Sequence, residues 1–281
     1  MLVIASKGWC FMVESKGRPG FIEWLEKISK VAKVGWSGLP LTHVTKALLA
    51  EDIIRAGVIK PQHCDVFKRP LSYFFYGRPA FRVKGDGPIK IESACPVCFV
   101  FQPNLIDKAA NLFPFDTGAF QARMYKSSVM EEMKVEDFQF QAKDNQPGAL
   151  LETAFSSPLD YMQGKAKEAG HFQAVVEKWE FHAQAYVELI VSKGRNEADD
   201  RVYSVEIQVE EEVLLKGNLI AVVVPHTLWI DNAGAPWIEK LVSDAVEILT
   251  YNFDPGRGPD YYHYAIEQSV KDFYFSKGFL K

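Results

Sequence analysis

The feature that most constrains this chain is a period-two alternation at Val202-Tyr-Ser-Val-Glu-Ile-Gln-Val209. Successive residues of an extended chain point to opposite sides. Tyr203, Val205, Ile207 and Val209 therefore share one face, and Ser204, Glu206 and Gln208 share the other. Leu219-Ile-Ala-Val-Val-Val224 follows as a fully apolar strand ended by Pro225, and Val97 to Phe101 reads as a short buried strand. Leu71-Ser-Tyr-Phe-Phe-Tyr76 is rich in aromatic β-formers and is closed by Gly77-Arg-Pro79, a strand meeting a tight turn.

Helical spacing appears elsewhere. Phe21, Trp24, Leu25, Ile28, Val31 and Ala32 mark one face of a helix over roughly 19 to 33, ended by the stretch from Gly35 to Pro40. A second short helix is expected to start at Thr45 as N-cap and to stop at Gly57, with Leu48, Leu49, Ile53 and Ala56 facing inward. Trp237, Ile238, Leu241, Val242, Ala245, Ile248 and Leu249 repeat at helical spacing near the C-terminus. From about Asn104 to Gly170 the signal is mixed and reads as an irregular and helical insertion. The fold class is α+β.

With 48% hydrophobic, 24% charged and 13% aromatic residues over 281 positions, the chain is a folded globule and not a disordered, collagenous or coiled-coil one. Its 32 basic and 36 acidic residues leave a net charge of -4. That argues against a nucleic-acid binder held by bulk charge but leaves room for a local groove lined by Lys68, Arg69, Arg82 and Lys84. The four cysteines, at positions 10, 64, 95 and 98, form no disulfide framework, so a reducing cytoplasm is the default compartment. Met1 to Val13 lacks the ordered regions of a signal peptide, and no apolar run approaches the roughly 18–20 residues of a membrane span. No membrane association is expected.

Three residues stand out for chemistry. Glu206 is a carboxylate in the middle of an apolar-faced strand; the bland alternative is the solvated side of an edge strand. Arg78, in a turn after an aromatic strand with Tyr73 and Tyr76 nearby, suits a phosphate or carboxylate, or simply stacks on its own tyrosines. His43, beside Thr42 and Thr45 before a helix, can donate a ring N–H to a ligand hydroxyl or serve the fold alone. Cys95-Pro-Val-Cys98, with His63-Cys64 as a conceivable second half, lacks the spacing of a structural zinc site, so buried thiols and no metal are expected. Glu210-Glu-Glu212 reads as a solvated strand end. Glycine-rich dinucleotide and phosphate loops, the His-Glu-x-x-His zinc motif and the Gly-x-Ser-x-Gly elbow are absent.

In this order the pieces resemble the ADP-ribosyltransferase fold, and within it the bacterial toxins that use NAD to modify DNA. The resemblance rests on His43-Val-Thr45 followed by a short helix ending near Gly57, on Tyr73-Phe-Phe-Tyr-Gly-Arg78, and on Ser204-Val-Glu206-Ile-Gln208 ahead of another strand. It implies a single domain built on a split mixed β-sheet with a helical insertion and flanking helices. The implied divisions are an N-terminal extension over 1–40, a first core half over 41–101, an insertion over 102–195, a catalytic-Glu half over 196–230 and C-terminal helices over 231–281.

The resemblance further implies an NAD-dependent mono-ADP-ribosyltransferase, a toxin or antiphage-defence effector with an antitoxin or defence partner. Glu206 would be catalytic. His43 and Thr45 would bind the cofactor, with His43 on a ribose hydroxyl. Arg78 would hold the pyrophosphate, and Tyr73 or Tyr76 would stack on nicotinamide. Ser204 occupies the position of a second Glu or Gln in arginine-modifying relatives, which disfavours arginine and leaves DNA, RNA, another protein side chain or water as acceptor. Cleaving the nicotinamide–ribose bond builds positive charge on the ribose, and nicotinamide leaves as a neutral heterocycle, so one carboxylate can suffice. The alternatives are a non-catalytic nucleotide- or partner-binding domain and an NAD glycohydrolase.

Overall fold

Strands with uniformly apolar sequences must be buried on both faces, and the architecture is built around two of them. In this computed structural model the described residues are 20–32, 36, 38–81, 87–143, 145–192, 201–230 and 233–281. The strands are β1 (Leu41–Lys46), β2 (Val58–Ile59), β3 (Gln62–Cys64), β4 (Arg69–Tyr76), β5 (Pro96–Phe101), β6 (Asn111–Phe113), β7 (Glu206–Val209), β8 (Val213–Leu214) and β9 (Leu219–Pro225), then the hairpin β10 (Trp229–Ile230) and β11 (Ala233–Gly234), and β12 (Glu247–Tyr251). A mixed central sheet runs β12-β9-β5-β1-β4-β7-β6, with β3 added to β4. β12 is parallel to β9, and the other neighbours are antiparallel. The apolar strands β5 and β9 lie side by side in the middle of one half.

The helices are α1 (Phe21–Ser29), α2 (Ala47–Ala56), α3 (Thr117–Gln121), α4 (Gln146–Ala154), α5 (Pro158–Met162), α6 (Ala169–Phe172), α7 (Phe181–Val191), α8 (Pro236–Ser243) and α9 (Pro259–Lys277). The chain is thus α+β with a mixed sheet and flanking helices. α9 packs on β5, β9 and β12, and α1 packs on α4 and α7 through Phe21, Trp24 and Tyr186. One continuous apolar cluster runs from Phe21 to Leu280.

One detail of pairing positions the site. β1 pairs with β5 along all six residues, but with β4 only at Leu41–Tyr76 and Thr42–Phe75. Beyond those two pairs the sheet is split. The turn after β4 is fixed by Gly77, whose φ of 66° suits glycine and whose missing Cβ would meet Leu39 at 2.9 Å.

Several expectations need correcting. α1 is shorter than the periodicity predicts, with Val31 76% exposed. Thr45 lies within β1, α2 begins at Ala47, and the helix buries Ala47, Ala50 and Ile54 while Leu48 and Leu49 are exposed. Its end is as expected, with Gly57 left-handed at the cap. The 102–195 segment is not purely an insertion, because its β6 pairs with β7. The C-terminal part is not wholly helical: α8 stops at Ser243, Ala245 takes a φ of 60°, and Ile248 and Leu249 enter β12. Met1 to Val13, with Cys10, and the pair Arg82 and Lys84 lie outside the described residues. No helix among those residues is long and apolar enough to cross a membrane.

Candidate functional site

A cleft of about 570 Å³ occupies the split between β1 and β4. That volume falls in the range of small-molecule sites, about 300–1,000 Å³. Its walls are His43 and Thr45 of β1, the outer stripe of α2, Val58 to Lys60, Gln62 and His63 of β3, and Leu71 to Tyr73 of β4. His43 Nδ1 lies 2.8 Å from the Tyr73 carbonyl oxygen, which only accepts. In the neutral ring Nδ1 therefore carries the proton and Nε2 is an acceptor. The expected donation by His43 to a ligand hydroxyl is reversed in sense. Burial holds the imidazole pKa below its usual value, against the raising effect of the Tyr73 carbonyl.

Glu206 stands at the start of β7, paired with Phe75 on one side and Phe113 on the other. It is 2% exposed, so the solvated-edge alternative does not apply. β6, not β7, is the sheet's edge here. Gln208 shares its face and donates from Nε2 to Oε1 at 2.8 Å. Thr117 donates twice, from its backbone N–H to Oε2 and from Oγ1 to Oε1, both at 2.8 Å.

Burial and the nearby charge of Asp116 push the Glu206 pKa up to about 8, outweighing the hydrogen bonds from Gln208 and Thr117 that favour the ionised form. Asp116 caps α3 by accepting from the Ala119 N–H at 2.6 Å, and it faces Arg201 at 3.2 Å.

Tyr73 links the two regions. It lines the cleft, pairs with Gln208 across β4 and β7, and donates its hydroxyl to Cys64 Sγ at 2.6 Å. Its phenol pKa is raised by burial, by the bond to Cys64 and by the charge of Glu206, which places the carboxylate within electrostatic reach.

The structure thus gathers His43, Thr45 and Tyr73 at one cleft, with Glu206 on the strand behind Tyr73 and not in the cleft lining. Three other expected residues stand elsewhere. Tyr76 is 3% exposed, and its hydroxyl donates to the Trp36 carbonyl at 2.9 Å, so it is a core residue and not a stacking platform. Arg78 is 5% exposed, donates from Nε to Glu267 of α9 at 2.8 Å and lies over the Tyr203 ring, so it is not presented to a pyrophosphate in the cleft. Ser204 is buried just before β7.

Cys95 and Cys98 are buried free thiols, the latter held well above its usual pKa by burial alone. Lys68 is exposed, Arg69 pairs with Glu210, and Glu210 to Glu212 are exposed.

Of the residues that hold Glu206, the sequence places Gln208 on its face but does not point to Thr117 or Asp116. Gln208 had the right alternation but no chemistry of its own. Asp116-Thr117 carried a helix N-cap signal, set after a three-residue strand too short for any periodicity to register. No protein-family model, curated protein or solved structure matches this chain.

Proposed function

We propose that the chain is an NAD-dependent ADP-ribosyltransferase. The observation that carries this reading is the split of the sheet, which draws His43, Thr45 and Tyr73 around one cleft with a buried carboxylate on the next strand. In this reading the dinucleotide enters between β1 and α2 and directs its nicotinamide riboside toward the seam of β4 and β7. His43 Nε2 accepts from a ribose hydroxyl, Tyr73 packs on the nicotinamide ring, and Glu206 faces the developing oxocarbenium charge. Glu206 must be ionised for that role. Its raised pKa then makes kcat/KM climb as pH rises through about 8, whereas the cation bound in the complex draws the limb of kcat to lower pH.

Nicotinamide release from NAD by the purified chain tests the proposal. Glu206→Gln should lower release by about a hundredfold or more, the scale of losing one preorganised electrostatic group, and should remove the pH limb. Unchanged release would overturn the role of Glu206. A second reading, a non-catalytic nucleotide-binding domain, is favoured by the burial of Glu206 and its three satisfied hydrogen bonds; NAD binding without release would select it. Release with water as the only acceptor would identify a glycohydrolase.

A further inference from the structure

α2 is a helix with two working faces. Ala47, Ala50 and Ile54 enter the core, while Leu49, Asp52, Ile53 and Ala56, at i, i+3, i+4 and i+7, line the cleft. Three of these four are apolar, and Leu49 remains 51% exposed. Asp52 is the one acidic side chain in the cleft lining.

Of the charged residues around it, Glu51 takes Arg55 at 2.6 Å and His63 faces Asp65 at 3.7 Å, while Lys60 stands in the same lining beyond the end of the helix. Among the described residues Asp52 has no hydrogen-bond or ion-pair partner. An aliphatic wall interrupted by a single uncommitted carboxylate matches a nucleoside. The base lies on the aliphatic side chains, and the carboxylate accepts from two vicinal ribose hydroxyls. The same carboxylate repels a phosphate placed on either hydroxyl.

We propose that Asp52 binds the ribose diol of the adenosine half of NAD and makes the cleft reject the 2′-phosphorylated dinucleotide, an inference that rests on the NAD reading of the same cleft. In that reading the nicotinamide half is directed to Tyr73 on the opposite wall, toward the strand that carries Glu206 behind it, which leaves the α2 wall to the adenosine. Both hydroxyls donate to Asp52, so a 2′-phosphate removes one donor and adds a like charge.

The test compares NAD with NADP on the full chain, by calorimetric binding and by nicotinamide release. The unaltered protein should favour NAD by about tenfold or more in Kd, the scale of a hydrogen bond to a charged group. Asp52→Asn should narrow that ratio about tenfold, chiefly by gaining NADP, and Asp52→Glu should keep it. Asp52 is exposed on the helix surface, so both variants should unfold at the same temperature as the parent. Equal affinity of the unaltered chain for the two dinucleotides, or an unchanged ratio in Asp52→Asn, would overturn the proposal. Binding without nicotinamide release would overturn the catalytic reading alone, because the Kd ratio still reports on Asp52. Binding of neither dinucleotide would overturn both.

Discussion

At Glu206 and Arg78, what surrounds a side chain matters more than its type. Glu206 has the same alternation whether its face meets solvent or protein, and the deciding partner, Thr117, comes from 89 residues away. Arg78 has the right neighbours for an anion but is committed to Glu267, with side chains 6% and 12% exposed. Removing one member of a buried pair strands the other charge in a poorly solvating interior. Arg78→Ala should therefore cost about 3–5 kcal/mol of stability. Urea unfolding measures this; a loss below about 1 kcal/mol would show that Glu267 is adequately solvated without its partner.

At the scale of an element, α2 shows what periodicity can and cannot supply. The apolar stripe at Leu48, Leu49, Ile53 and Ala56 is present in the sequence, but the core takes a different face, built from smaller residues. Two apolar stripes on one helix compete for the core, and close approach to β1, β5 and the turn at Glu92–Ala94 selects the one with two alanines. Ile54→Ala should then cost about 2–5 kcal/mol as a cavity in the core. Leu49→Ala should change stability by no more than about 0.5 kcal/mol while weakening the NAD binding proposed for the cleft. Denaturation midpoints and calorimetry on the two variants separate the faces; a reversed order of stability losses would contradict the two-faced helix. β6 and β12 were missed for local reasons. One is three residues long, and the other follows a helix whose apolar spacing continues past its actual end at Ser243.

For the whole molecule, the single apolar cluster from Phe21 to Leu280 ties the early and late parts of the chain into one cooperative unit. One unfolding transition is expected by calorimetry, and two resolved transitions would contradict it. The stability of that unit should depend on pH through Glu206. Its folded pKa, about 8, lies above the ordinary value of 4.5, so the folded state holds the proton more tightly. That contribution is complete below about pH 4.5 and is lost as pH rises through 8. Replacing Glu206 with Gln should flatten this decline. An equally steep decline in the variant would assign it to other groups.

Local patterning is enough to establish the α+β class, the buried strands near Val97 and Leu219, the aromatic strand ending at Tyr76, the helix stop at Gly57 and the solvated acidic run after Val209. These follow from spacings of two and of about 3.6 residues, and from turn chemistry, all set by near neighbours in the chain. Long-range packing, by contrast, makes β1 and β4 separate after two pairs, turns the larger apolar stripe of α2 to the resulting cleft and lays Thr117 over Glu206. The same packing commits Arg78 to the core and not to the cleft. Each of these depends on where strands stop pairing and on which distant segment fills the space beside them, and no local period in a sequence carries that information.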